Sequence, residues 1–272
     1  MKNRLSNRSN DYLLMSLFLL ITVTSVGPAR AADPSGRSIA GAAQSEKISN
    51  CISHGNEGNP GVYPPCSTPY GLSYAEWSAN WWRWIWSVPS PVNPILDTTG
   101  QYCAEGQTGP VWYLAGTFGG PVERSCTIPA GVSILFPVFN VAFGDGDGDC
   151  NGVGPFRDSK LPSCFAWGEW ARLVTYYSGA MDNPYLQASI DGRQLVNLLA
   201  YRAQSPQFWY VVPANNILGH PAGLYFPAGA DGYWVMSTPL SPGRHEIHFK
   251  TAAGPGAFFG FSLEVTYHLT VR

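Results

Sequence analysis

Two stretches near the C-terminal end, RHEIHFK at residues 244–250 and FSLEVTYHLTV at residues 261–271, decide the predicted fold. In both, apolar and polar side chains alternate at every second position, and a glycine-rich segment joins them. Alternation with a period of two is typical of a β-strand that buries one face and exposes the other. The sequence therefore predicts a β-hairpin at this end of the chain.

The same kind of pattern extends toward the N-terminus. After residue 94, short runs of β-branched and aromatic residues are separated by Gly, Pro and Asp-Gly turns. The further predicted strands are 111–116, 122–127, 133–141, 186–190, 194–198, 207–212 and 233–237. Many short strands with turns between them predict a mainly β protein, an antiparallel β-sandwich of the jelly-roll or immunoglobulin-like kind.

Two helices are predicted to pack on this sandwich. The first begins at Ser73, which forms an S-x-x-E capping box with Glu76. It ends near Ser87, because Pro89 disfavours helical geometry at the residue before it. The second is predicted over residues 164–178, where aromatic and aliphatic residues recur at helical spacing.

The first predicted helix holds half of the ten tryptophans and is apolar over most of its circumference. A helix of this kind is normally buried between other elements, and each tryptophan can bury about 150–250 Å². Burial is therefore the preferred interpretation. The functional alternative is that Trp82 and Trp86, which share one side of the helix, bind a ligand by stacking on a sugar ring or another apolar group.

The N-terminal segment has the pattern of a secretory signal peptide. Basic residues precede an apolar run at 13–26, and Ala29-Arg30-Ala31 resembles a cleavage site. The apolar run is shorter than the roughly 20 residues that span a bilayer. We therefore expect export to the periplasm or to the outside of the cell, with no membrane anchor after cleavage.

This pattern divides the chain into three predicted parts. Residues 1–31 form the signal peptide, and residues 32–68, rich in Gly, Ser, Ala, Asn and Pro, form a flexible lead-in. Residues 69–272 form a single β-sandwich domain.

Six cysteines follow the predicted cleavage site. An even number in an exported chain predicts disulfides, although six cysteines allow 15 connectivities. Pairing neighbours gives the least entangled arrangement, namely Cys51–Cys66, Cys103–Cys126 and Cys150–Cys164. The spacings are irregular and no C-x-x-C pair occurs, so zinc ligation is not predicted.

The composition argues against a disordered chain and against a nucleic-acid-binding protein. Charged residues make up 12% of the chain, against about 25% in an ordinary globular protein, and hydrophobic residues make up 45%. The chain therefore has enough apolar surface to fold. Its formal net charge of −2 provides no basic surplus for a nucleic-acid partner.

One loop carries alternating carboxylates. Asp145, Asp147 and Asp149 stand at every second position, as in the opening of an EF-hand calcium loop. Cys150 replaces the expected glycine, however, and Phe156 replaces the bidentate glutamate. The two hypotheses are a calcium site and a solvated acidic turn. No other cofactor is expected.

The common catalytic motifs are missing: no G-x-S-x-G, H-E-x-x-H or Walker sequence occurs. A carboxylate pair for glycoside hydrolysis would have to come from a set of four candidates. These are Glu76, Asp97, Glu105 and Glu123. His245 falls on the apolar face of its predicted strand and is expected to be a hydrogen-bonded core residue. His248 and His268 fall on polar faces and are expected to approach one another.

Several short sequences together carry a family resemblance. They are YGLSYAEWSA at 70–79, WWRW at 81–84, QTGPVWYLAG at 107–116, CTIPAG at 126–131, YRAQSP at 201–206 and LSPGRH at 240–245. Over about residues 69–272 the chain resembles an uncharacterised family of exported bacterial proteins. The resemblance implies a bacterial source and one domain, but no activity, cofactor or catalytic residue.

The function expected from these observations is non-catalytic binding. The protein is predicted to be a binding or accessory protein for a carbohydrate or a protein partner at the cell envelope. One alternative is a glycoside hydrolase that uses a carboxylate pair, which would require two carboxylates in one cleft. The other is a structural or adhesive subunit, which would require a free sheet edge or a large apolar patch.

Overall fold

The computed structural model describes residue 56 and residues 58–144, 184–252 and 261–272, all within the compact unit Gln44–Arg272. The strands are β1 (Val111–Tyr113), β2 (Gly120–Ile128), β3 (Ser133–Gly144), β4 (Tyr185–Ile190), β5 (Arg193–Gln194), β6 (Arg202–Gln204), β7 (Phe208–Val212), β8 (Gly223–Ser237), β9 (Gly243–Ala252) and β10 (Ser262–Val271). The helix α1 spans Tyr74–Ser87, and short 3₁₀ helices span Pro69–Gly71, Ser90–Val92 and Leu198–Tyr201. The predicted helix at 164–178 lies outside the described residues.

The strands form two five-stranded sheets, which confirms the prediction of a mainly β protein. The first has the order β1-β3-β8-β6, with β7 also paired to β8, and the second has the order β2-β10-β9-β4-β5. The predicted C-terminal hairpin is β9 and β10, with Val265 opposite Phe249. Both sheets are mixed rather than antiparallel throughout, because β1 runs parallel to β3 and β2 runs parallel to β10.

The two sheets and the helix are held together by aromatic packing. Phe136 of β3 stacks on Phe249 of β9, with ring centroids 5.3 Å apart, so the sheets meet face to face. Trp81 of α1 contacts Trp234 of β8 at 5.5 Å. Val235, the register partner of Phe136, lies next to Trp234 and therefore points to the opposite side of the strand. The helix thus covers the face of the first sheet that points away from the second.

Both ends of α1 are closed by side chains. The predicted capping box is present: the Ser73 hydroxyl accepts from the Glu76 amide at 3.3 Å, and the Glu76 carboxylate accepts from the Ser73 amide at 2.8 Å. At the other end, the buried Asn93 amide donates to the carbonyls of Ile85 and Val88, both at 2.8 Å.

The chain packs on the sheets before the predicted domain start at residue 69. Val62 is buried and forms a bridge with Ser237, at the end of β8. The Tyr63 amide donates to the Met236 carbonyl at 2.9 Å, and the Asn59 side chain donates to the Val196 carbonyl at 2.9 Å. Residues 58–68 of the predicted lead-in therefore pack against the domain, where the side chain of Val62 is buried.

One predicted disulfide is present. Cys103 and Cys126 are bonded, with their Cα atoms 6.0 Å apart. Cys66 is also disulfide-bonded, and the described part of the chain holds no free cysteine. The partner of Cys66 lies outside the described residues, so the pairings Cys51–Cys66 and Cys150–Cys164 stay predictions. Among the described residues, no helix is both long and apolar enough to cross a membrane.

Candidate binding site

The two tryptophans predicted to bind a ligand have different surroundings. Trp86 is 4% exposed and packs between Phe208, at 6.0 Å between ring centroids, and Tyr210, at 4.6 Å. Trp82 is half-buried against Trp86 and Trp81, both at 5.0 Å, and also lines an apolar cavity. The burial expected for this helix therefore accounts for Trp86, whereas Trp82 faces space that a ligand can fill.

A second concave surface lies on the other side of α1. It is a groove of about 460 Å³ between α1 and β7. Its helix side carries Asn80, Arg83 and Ser87, and its strand side carries Trp209 and Val211. We call it the α1–β7 groove. Its helix wall is polar, and its strand wall is formed by residues of β7, among them Trp209.

The alternation of β7 explains why that ring is exposed. Phe208, Tyr210 and Val212 point into the core, so Trp209 and Val211 point outward and are 51% and 52% exposed.

The outward side chains of β7 continue onto β8. The Trp209 ring stacks on Phe226, with centroids 4.4 Å apart and 23° between the ring planes. Val211 lies opposite Leu224, which is 59% exposed. We call Trp209, Val211, Leu224 and Phe226 the aromatic strip. It is an apolar surface beside the α1–β7 groove.

Arg83 fixes the polar side of the groove. Its Nε donates to the Trp209 carbonyl at 3.0 Å, its Nη1 donates to the Asn80 side chain at 2.7 Å, and its guanidinium lies 5.2 Å from the Phe208 ring centroid. Burial lowers the pKa of Arg83, but a guanidinium stays charged at neutral pH. No acidic side chain in the described part of the chain forms an ion pair with Arg83.

The outer face of the second sheet carries histidines and carboxylates. His268 bonds Glu123 at 2.6 Å and lies 3.6 Å from Glu246, whereas His248 bonds Glu264 at 3.1 Å. The two histidines are on the polar face, as expected, but each engages its own carboxylate. No group of three metal-ligating side chains occurs within the described ranges, and the predicted calcium ligands Asp145, Asp147 and Asp149 lie outside them.

His245 forms a serine–histidine–aspartate arrangement at the start of β9. Its Nδ1 lies 2.7 Å from Asp191 Oδ2, and its Nε2 lies 2.8 Å from the Ser241 carbonyl and 3.4 Å from the Ser241 hydroxyl. A carbonyl oxygen only accepts, so Nε2 must carry a proton. The imidazole therefore has no free lone pair to take the serine proton, which a catalytic triad requires. The residue is hydrogen-bonded as expected, but at the rim of the sheet.

Three of the four predicted catalytic carboxylates have structural partners. Glu76 belongs to the capping box, and Glu123 bonds His268. Asp97 is buried and accepts from the backbone amides of Thr99 and Tyr102, at 2.8 and 2.9 Å. Burial alone would raise the pKa of Asp97. These hydrogen bonds lower it by more, so the net pKa lies below its usual value and the carboxylate stays ionised. Each of these carboxylates therefore stabilises local structure: the start of a helix, a strand pair or a loop.

Comparisons with known proteins leave the family open. No family model and no curated protein matches the chain. A structural similarity is found to the cysteine protease inhibitor EhICP2 from Entamoeba histolytica, with 10% sequence identity and a TM-score of 0.20. It covers 57% of this chain and 88% of that one. A TM-score this low supports no argument about fold or function.

The candidate binding residues that sequence patterns missed are Arg83 and Trp209. Arg83 stood in a narrow polar edge of the predicted helix, and Trp209 stood in a predicted strand. The available signal was the alternation of residues 208–212, which separates two faces of the strand. It does not say which face the helix covers.

Proposed function

We propose that the protein is a non-catalytic binding protein that holds a carbohydrate in the α1–β7 groove. The observation that carries this proposal is Trp209, whose exposed indole stacks on Phe226 and whose carbonyl accepts from Arg83 at the groove. Exposed apolar patches rimmed by polar residues mark interaction sites in proteins.

The chemistry of the groove is suited to a sugar ring. A pyranose has an apolar face of C–H groups and a polar edge of hydroxyl groups. The indole of Trp209, on the outward face of β7, matches the apolar face of one sugar ring, and the side chains of Asn80, Arg83 and Ser87 in the adjoining groove offer hydrogen bonds to hydroxyls. The groove volume of about 460 Å³ lies in the range of small-molecule sites.

The groove is held in place before a ligand arrives. The bond from Arg83 to the Trp209 carbonyl ties the helix to the strand, and the bond to Asn80 orients both polar side chains. Groups that are already ordered lose less conformational entropy on binding.

The disulfide between Cys103 and Cys126 supports an oxidising compartment. We therefore propose that this binding occurs outside the cytoplasm, in the periplasm or beyond the cell. The predicted signal peptide and the resemblance to exported bacterial proteins support the same placement.

A glycan array on the purified mature protein tests the proposal. We expect binding to at least one glycan, and we expect Trp209→Ala to weaken it about tenfold or more because the stacking ring is lost. Tyr185→Ala is the matched control, since Tyr185 is 56% exposed but lies on β4, outside the groove.

Two results would contradict the proposal: no binding to any glycan, or an equal loss with Tyr185→Ala. Reading the array with and without calcium also tests the hypothesis that Asp145, Asp147 and Asp149 bind the ion. Equal binding and equal melting temperatures in both conditions would remove the calcium hypothesis.

A further inference from the structure

The described lining of the α1–β7 groove carries charge of one sign. Among the described residues that line it, Arg83 is the only one whose side chain is charged at neutral pH, and none of them has a carboxylate. The Arg83 side chain is half-buried, so water covers only part of the guanidinium. A partly desolvated charge is stabilised by a counter-charge, which a negatively charged group on the ligand supplies.

Arg83 keeps hydrogen-bond donors for such a group. A guanidinium has five N–H donors in a fork that fits the oxygens of an anion. The Trp209 carbonyl uses one and the Asn80 side chain uses another, and no further hydrogen bond joins Arg83 to the described part of the chain. The remaining donors therefore belong to a charged side chain that is already held in place.

The neighbouring polar groups complement this charge. Because Asn80 Oδ1 accepts from Arg83 at 2.7 Å, the side-chain NH₂ group of Asn80 is what remains for a ligand. The Ser87 hydroxyl donates to the Trp84 carbonyl at 2.8 Å, so its oxygen remains as an acceptor for a sugar hydroxyl. The helix wall thus offers donors beside the guanidinium and an acceptor on Ser87.

Tyr113 adds a further donor to the groove. The residue is only 8% exposed, and its ring packs on Trp84 with centroids 5.3 Å apart, yet it lines the groove. Its hydroxyl has no hydrogen-bond partner in the described part of the chain, and it is not among the buried polar atoms that solvent cannot reach. Burial raises the pKa of Tyr113 to about 12 although the charge of Arg83 lowers it, so the hydroxyl keeps its proton.

We propose that the carbohydrate held in the groove is acidic and that its carboxylate or sulfate group pairs with Arg83. The anion accepts from the remaining guanidinium donors, while Asn80, Ser87 and Tyr113 bond the polar groups around it. A sugar ring of the same ligand stacks on Trp209. This inference rests on the proposed function, because it names the class of sugar that the same site takes.

The test uses matched glycans on the purified mature protein. Oligomers of galacturonate, alginate and hyaluronan are each compared with their uncharged methyl esters, and sulfated galactan oligomers are compared with their desulfated forms. Calorimetry then gives the dissociation constants of the pair that binds best. We expect the acidic form to bind at least about tenfold more tightly than its neutral form, the size of a hydrogen bond to a charged group. A preference among the methyl-ester pairs identifies a carboxylate, and one among the desulfated pairs identifies a sulfate.

Two variants place the preference at Arg83. Arg83→Gln removes the charge and should bring the affinities of the acidic and neutral forms to within about twofold of each other. Asn80→Asp repeats the test if Arg83→Gln does not fold. It keeps the shape of Asn80 and an oxygen for Arg83, but it supplies a counter-charge from the protein, so the preference should again be lost.

Arg244→Gln is the matched control for both variants, because it changes the net charge by the same amount. Arg244 is exposed on β9 and does not line the groove. The preference of this variant for the acidic form should equal that of the native chain.

The outcomes separate this inference from the proposed function. If a glycan binds through Trp209 but its acidic and neutral forms bind equally, the inference is overturned and the proposed function stands. The same holds if the preference survives both Arg83→Gln and Asn80→Asp, or if Arg244→Gln removes it as well. No binding to any glycan would overturn the proposed function and this inference with it.

Discussion

The imidazole of His245 has an acceptor on each side, which makes its charge a structural matter. Asp191 reaches it because the Asp191-Gly192 turn between β4 and β5 places both residues at positive φ, 52° and 75°. The same carboxylate also accepts from the Glu246 amide at 2.9 Å. One turn residue therefore clamps the β4–β5 turn to the first residues of β9.

This clamp predicts a pH-dependent stability. Burial lowers the pKa of His245, but the bonds with Asp191 and with the Ser241 carbonyl raise it more, so the net pKa is above its usual 6.5 or so. The stabilisation by protonated His245 is complete below about pH 6.5 and is lost as pH rises through the folded-state pKa. We expect the melting temperature of the native chain to exceed that of His245→Gln by an amount that shrinks as the pH rises above about 6.5.

Asp191→Asn is the control for this effect. It keeps the shape of the turn residue but removes its charge. The rise in the pKa of His245 should then diminish, and so should the pH-dependent difference in melting temperature. A difference between native and His245→Gln chains that stays constant across this range would show that His245 acts by packing alone.

At the scale of the element, the two ends of α1 differ in how far their partners lie along the chain. The N-terminal box uses residues three apart, so its sequence pattern is visible. At the other end, the side-chain amide of Asn93, in the loop after the helix, donates to the carbonyls of Ile85 and Val88. Its Oδ1 accepts from the Ile95 backbone amide at 3.1 Å.

Asn93→Ala should therefore destabilise the protein more than loss of the exposed N-cap. It leaves two buried carbonyls and one buried amide without partners, and we expect the free energy of unfolding to fall by about 3 kcal/mol. Ser73→Ala should cost only about 1 kcal/mol. Urea denaturation measures both, and equal losses would show that the Asn93 bonds contribute no more than an ordinary cap.

Strand prediction succeeded for the alternating hairpin and for the apolar run of β3, and it failed over most of β8. The hairpin of β9 and β10 followed from alternation, and α1 followed from its cap and helical spacing. β8 spans Gly223–Ser237, but only its last five residues were predicted. The preceding Gly, Pro and Ala residues resemble a turn, yet Ala228, Ala230 and Gly232 are needed because the strand is covered closely on both faces.

The candidate site was predictable in part for a related reason. Helical spacing placed Trp82 and Trp86 on one side of α1, and Trp82 does line a cavity. Which tryptophan meets open space depends on where β7 packs against the helix. That contact joins residues far apart in sequence, and residue patterns do not contain it.

At the scale of the whole molecule, one buried arginine joins parts that are distant along the chain. Arg124 of β2 is 1% exposed, and its guanidinium donates to the carbonyls of Asp97, Ala115 and Gly116 at 2.6, 2.8 and 3.0 Å. It also donates to the Tyr267 hydroxyl of β10 at 2.8 Å. The loop after α1, the segment after β1 and both parallel strands of the second sheet therefore meet at one charged group.

Arg124→Met should lower the free energy of unfolding by about 3 kcal/mol, because the buried carbonyls of Asp97 and Gly116 lose their donor and that of Ala115 keeps only the Tyr267 hydroxyl. Arg244→Met is the matched control: Arg244 is exposed, and its loss should change stability by about 0.5 kcal/mol or less. Chemical denaturation followed by tryptophan fluorescence measures both. Similar small effects would show that apolar packing alone joins these segments.

The parallel pairing of β2 with β10 also has a consequence for the order in which the protein assembles. Gly120 pairs with Leu263 and Ile128 pairs with Val271, and β10 is the only described neighbour of β2 in its sheet. During synthesis, β2 leaves the ribosome long before the strand that receives it. Contacts between residues so distant in sequence form slowly. The backbone groups of β2 must stay hydrated, or be shielded by a chaperone, until the last strand has been made.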